Sequence, residues 1–249
     1  MHAVPLTGRV IEVVSRDPGA SALRYLPPYV NVPWVEGGVA TPMAEDVLAQ
    51  AAFPSGRPLP PSLRAWLAYD TSLLERRQWF TADGGFAPRP LAQFVRDEMG
   101  AGWAEEFAWL SGRFFECFLL PGGSDSRRLL AVTEPDAEGE YPVFALDFDD
   151  LPYLGLMYPG FDVYLADTAD ILSPGERRSY TDLIGHETYG PRMRRHAAQC
   201  FAGRAMCSFL SSPRGCTRSF AGVGAGRHPR RDVMLTLRWY RLRRRRGSP

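Results

Sequence analysis

The chain has 249 residues, 45% apolar and 12% aromatic, with a formal net charge of +1, enough for one domain with appendages and a sizeable core. No run of about 18 apolar residues offers a membrane span, and the opening MHAVPLTGRVIEVVSR lacks the basic-then-apolar order of a secretory signal, so a cytoplasmic location is expected. The small net charge hides a division: residues 1–187 carry 27 of the 28 acids and 14 of the 29 arginines, for a net of −13, whereas residues 188–249 carry a net of +14.

In chain order, Arg9–Val14 reads as a short strand from its β-branched run. Thr41-Pro42 predicts a helix start, with Thr as N-cap and Pro at the first helical position, running to Ala52. After the Pro/Gly-rich connection Phe53–Pro61, Pro61 opens a second helix with Leu63, Trp66 and Leu67 as its core stripe. Pro90 starts a third, with Leu91, Phe94, Val95 and Met99 on its apolar face, and Trp103–Leu110 predicts a fourth.

The middle changes character. Phe114–Leu120, Arg128–Thr133 and Tyr141–Phe148 are short aromatic and aliphatic runs separated by turn signals at Pro121–Asp125 and Glu134–Glu140. Spacing this tight favours an antiparallel meander, because parallel strands need long crossovers. Within Gly139–Leu165 a strand ends in an Asp cluster, and a second apolar run precedes an aromatic, acid-studded helix. Pro159–Ile171 and Pro174–Arg195 predict helices. Helices, then strands, then helices indicate an α+β fold with helices against one face of an antiparallel sheet.

From Ala205 onward the chain has no Glu, one Asp and a Gly/Ser/Pro/Arg-rich middle. Three readings stand: a disordered or out-of-frame end, since all 29 basic residues are Arg and the composition is that of a GC-rich gene; a polyanion-binding tail using Arg243–Arg246 with Trp239 and Tyr240; or a small docked element.

Chemical motifs are weak. His186, His196 and Cys200 lack the second ligand pair that zinc sites supply, and Asp147, Asp149 and Asp150 lack the spacing of a calcium loop. GVGAG at 222–226 is not a dinucleotide fingerprint. Ser111, Ser124 and Ser179 sit in no nucleophile setting, and Glu105–Glu106 or Glu134–Asp136 are weak candidates for a carboxylate pair. Four irregularly spaced cysteines, Cys117, Cys200, Cys207 and Cys216, read as free thiols. No catalytic residue, metal or cofactor is expected.

Two patches, LPPSLRAWLAYD (Leu59–Asp70) and LLAVTEPDAEGEYPVFALDFDDLPYLGLMYPGFDVYLA (Leu129–Ala166), resemble the SUKH superfamily (Smi–Knr family). Asp70-Thr71 stands where family members often carry Asn-Gly, and the stretch between Leu73 and Phe114 is a long insertion. The resemblance implies a SUKH-like α+β domain over residues 41–200, with residues 1–40 as an N-terminal extension and 201–249 as a basic tail of low order. It also implies a non-enzymatic immunity protein that neutralises a cognate bacterial toxin, many such toxins being nucleases. Independently, an acidic body attracts a basic partner by long-range steering, although acidity also simply keeps proteins soluble. The expected partner-binding residues are Glu134, Asp136, Glu138, Glu140, Asp147, Asp149 and Asp150, with Tyr153 and Tyr158 as anchors or core residues. Nucleic-acid or anionic-surface binding through the Arg-rich tail is the alternative.

Overall fold

The computed structural model describes residues 1–23, 32–122, 126–148, 153–172, 174 and 181–208. GVGAG, Ser124, Ser179, Asp149, Asp150 and the Arg243–Arg246 run lie outside them.

The chain opens with helix α1, Ala3–Val14, where the sequence predicts a strand. The β-branched run gives way to the four-residue spacing of Leu6, Val10 and Val14, which places all three in the core and lets α1 pack against two later helices. α1 is thereby packed into the fold.

The helix expected with Thr41 as N-cap begins three residues later, as α2, Glu45–Gln50. Thr41 serves a loop instead. Its N–H donates to Asp70 Oδ1 (3.1 Å) and its carbonyl accepts from the Thr71 N–H (2.8 Å). Helix α3, Pro61–Leu67, carries Pro in its first turn and buries Leu63, Trp66 and Leu67 as predicted. Buried Asp70 then accepts from Ser72 Oγ (2.8 Å) and the Leu73 N–H (3.3 Å), satisfying donors at the start of α4, Ser72–Glu75. Helix α5, Leu91–Met99, follows its predicted face, and the fourth predicted helix is split into α6, Ala101–Glu106, and α7, Ala108–Ser111.

Among the described residues five strands, β1 Cys117–Leu120, β2 Ser126–Ala131, β3 Val143–Asp147, β4 Tyr153–Tyr158 and β5 Met206–Ser208, form one antiparallel sheet in the order β1-β2-β3-β4-β5. Helix α8, Phe161–Thr168, follows β4, and α9, Gly190–Phe201, precedes β5. β5 pairs with β4, at the start of the stretch whose composition predicts low order.

Helices cover both faces of the sheet, a correction to the one-sided expectation. On one face Phe144 of β3 meets Phe201 of α9 with ring centroids 5.2 Å apart. On the other, Tyr158 of β4 meets Tyr164 of α8 at 5.8 Å, and Phe118 of β1 packs at a tilt on Trp79 at 4.6 Å. All five residues of β3 are accordingly buried. α1 packs against α8 and α3. Among the described residues no helix is long and apolar enough to cross a membrane.

Candidate functional site

The acidic turn between β2 and β3 sorts its carboxylates by position: Glu134 and Glu138 are exposed, Asp136 and Glu140 buried. Asp136 makes the turn. Its Oδ1 accepts from the N–H of Glu138 (2.8 Å) and of Glu140 (3.1 Å), and its own N–H donates to the Glu140 carbonyl (2.9 Å). Gly139 supplies the left-handed backbone (φ 78°) that closes it.

Asp136 Oδ2 faces inward, where Arg192 of α9 donates its Nε at 2.5 Å. The same guanidinium grips Asp162 of α8 with both terminal nitrogens, at 2.8 and 3.1 Å. Asp162 also accepts from the Ala3 N–H (2.7 Å), so its charge sits at the N-terminus of α1, where helical N–H groups lack partners. His196, one turn beyond Arg192, places Nε2 3.0 Å from the Pro159 carbonyl and 3.6 Å from Asp136 Oδ2. Both are acceptors, so the ring proton sits on Nε2.

Glu140 completes the group. Its carboxyl receives the N–H of Ser62 (2.9 Å) and meets the Ser62 hydroxyl (2.5 Å) at the start of α3. Burial, aided by the charge of Asp162, pushes Glu140 up to about 8. Asp136 goes the other way. Burial raises it, but hydrogen bonds from His196 and Arg192 and the guanidinium charge outweigh that and hold it at about 2. Gly160 makes the assembly possible, since a Cβ there would lie 2.4 Å from Asp162 Oδ1 and 2.5 Å from an Arg192 nitrogen.

Chemically this cluster is a knot. Its oxygens are occupied by donors from the chain, and it joins α1, α3, the β2–β3 turn, α8 and α9 at one point. Asp136 and Glu140 are thus not part of an accessible acidic rim. Asp147 is also buried, at 8% exposure, which corrects its place among the expected partner-binding residues. Tyr158 is core, its hydroxyl donating to Asp167 (2.8 Å), and Tyr153 is half-buried. Only Glu134 and Glu138 of the expected set stand exposed among the described residues.

The remaining candidates separate. His186 is exposed and stacked on Tyr189, whereas His196 lies in the buried cluster. Cys200 is buried, which pushes its thiol up to about 11, and burial raises Cys117 as well. Ser111 donates to the carbonyl of Phe107, the residue that precedes α7, and Glu105 is exposed. Among the described residues no group of three or more His, Cys, Asp or Glu is placed to hold a metal ion.

Sequence reasoning missed Arg192 and Asp162, and weighed His196 only as a metal ligand. The signals were present: a lone Arg on the stripe Met193, His196, Ala197 and Cys200, and a lone Asp within the apolar run following Gly160. A charge at a core position calls for a buried partner.

The exposed charge leans acidic: among the described residues thirteen carboxylate residues are exposed against six arginines, Arg9, Arg16, Arg96, Arg113, Arg194 and Arg195, an excess that biases the outside field toward anionic. No family model matches the chain and no curated protein matches it. The crystal structure of an uncharacterized protein from Salmonella enterica subsp. enterica serovar typhimurium str. 14028s is similar to it, with a TM-score of 0.50 and 16% identity over 81% of this chain and 94% of that one. At that identity the likeness is one of fold alone.

Proposed function

We propose that this chain is a non-enzymatic protein-binding domain of SUKH type, acting in the cytoplasm as an immunity protein that neutralises a cognate, basic bacterial toxin. The observation that carries this reading is the sorting of charge. The inward carboxylates are consumed in holding helices together, and the exposed ones leave an anionic surface that speeds encounter with a cationic partner and disfavours anionic ones. A nuclease toxin must attract phosphate and so offers such a cationic face. Glu134 and Glu138 belong to the docking surface in this reading.

Co-expression with the toxin encoded beside the gene is the test. Rescue of growth together with a co-purifying complex supports the proposal; failure of both overturns it.

A further inference from the structure

A groove of about 400 Å³ runs between α2 and the turn that follows Phe80. Met43, Val47 and Phe86 give it apolar surface, and Phe86 is backed by Phe53 and Phe80, with ring centroids 5.5 and 5.4 Å away. Among its lining residues the only ionisable groups are Asp46 and Asp83. Asp46 makes no hydrogen bond or ion pair among the described residues. The Thr81 hydroxyl, with the backbone N–H groups of Asp83 and Gly85, holds Asp83 below the ordinary carboxyl range, so it stands in the groove as a carboxylate. Gly84, at φ 83°, has nothing within 4 Å of a would-be Cβ, so this wall is open backbone.

An aromatic ring, aliphatic walls and two carboxylates without a cation form a lining for one kind of side chain. Arg carries a long apolar stem, stacks its planar guanidinium on aromatic faces and donates in a fork to carboxylates. We infer that the groove bounded by Asp46, Val47, Asp83 and Phe86 is a docking site for an arginine side chain presented by a protein partner. This rests on the reading of a basic protein partner, and it adds a second contact region, formed by segments other than the Glu134–Glu140 turn.

The test is an amide NMR titration of the full chain with Nα-acetyl-arginine amide, its uncharged citrulline counterpart and spermidine. Saturable shifts are expected at 46–50 and 81–86 with the arginine probe alone. Asp46→Asn should weaken them about tenfold, Val47→Ser more mildly, and Glu12→Gln, at an exposed acid outside the groove's lining, not at all. Equal shifts with spermidine would mark a general sink for cations and overturn the inference. So would shifts spread over all surface acids, or an unchanged affinity in Asp46→Asn. Shifts of the same amides on dilution would assign the groove to a second copy, and on replacing Arg243–Arg246 by glutamine to the chain's own arginines; either also overturns it. Asp83→Asn perturbs the turn itself, so Asp46→Asn decides. The titration needs no toxin, so its failure is distinct from failure of the co-expression rescue.

Discussion

Arg192 and Asp136 lie 56 positions apart in sequence, yet one nitrogen of the first sits 2.5 Å from an oxygen of the second. Because the other oxygen of Asp136 organises the β2–β3 turn, this contact links the shape of that turn to the placement of α9. Removing one member of a buried ion group leaves its partners charged and unpaired. Arg192→Met should therefore cost about 3–5 kcal/mol, measured by denaturant unfolding. Arg192→Lys should lose part of that, because an ammonium cannot reproduce the fork to Asp162.

Gly160 and Gly102 should respond in opposite directions. Alanine at 160 drives a methyl into Asp162, Arg192 and the Cβ of Glu140, 2.8 Å away. Crowding of this kind costs about 1–3 kcal/mol, and loss of the ion group adds to it. Alanine at 102, in α6 with nothing within 4 Å of its Cβ, should be neutral or stabilising by up to about 1 kcal/mol. Thermal melts of the two variants make the comparison, at about 2–4 °C per kcal/mol for a chain of this size.

Glu140 sets a slope on the alkaline side. Its folded pKa is raised to about 8, above the ordinary carboxyl value, so its contribution is complete in acid, below the unfolded pKa. It is lost as pH rises through that value to about 8. Asp136, held at about 2, contributes above its ordinary pKa and loses that contribution as pH falls toward 2. Glu140→Gln keeps the Ser62 contacts without an ionisable group. It should flatten the fall in melting temperature between pH 6 and 9, by an amount on the order of a few °C. An unchanged slope would assign the alkaline loss to other groups.

Glu134 and Glu138 offer the complementary case. Glu134 makes an exposed pair with Arg57 (2.5 Å), a kind of contact worth about 0–1 kcal/mol. Glu134→Gln with Glu138→Gln should leave stability within about 1 kcal/mol of the parent. Association with a basic partner should slow, and its salt dependence should shrink, since exposed charges act chiefly on the encounter rate. Stopped-flow binding at two ionic strengths reads both effects.

What was legible in the sequence follows from where a signal was local. Pro61 and Pro90 mark helix entries because their geometry suits the first turn, and the apolar stripes behind them are complete. The meander was legible because the turns are short. α1 was misread because Val10, Ile11, Val13 and Val14 are strand formers by propensity, and the helix is decided by burial against α3 and α8, which lie far along the chain. All four acids of the turn Glu134–Glu140 read as partner-binding residues, because a run of acids carries no mark of which members face inward. That choice is made by Ser62, Arg192 and His196, all distant in sequence.

The change of sign near residue 188 invites a cut between an acidic body and a basic tail, yet the basic half supplies the arginine that neutralises the acidic interior. Helix α9 also sends Met193, His196, Ala197, Cys200 and Phe201 into the core at helical spacing. A shifted reading frame has no reason to produce that stripe, so codons through at least 201 are read in the frame in which the rest of the protein folds. Any discontinuity in the gene belongs downstream of α9. A protein shortened at residue 187 would be left with two stranded aspartates in its interior.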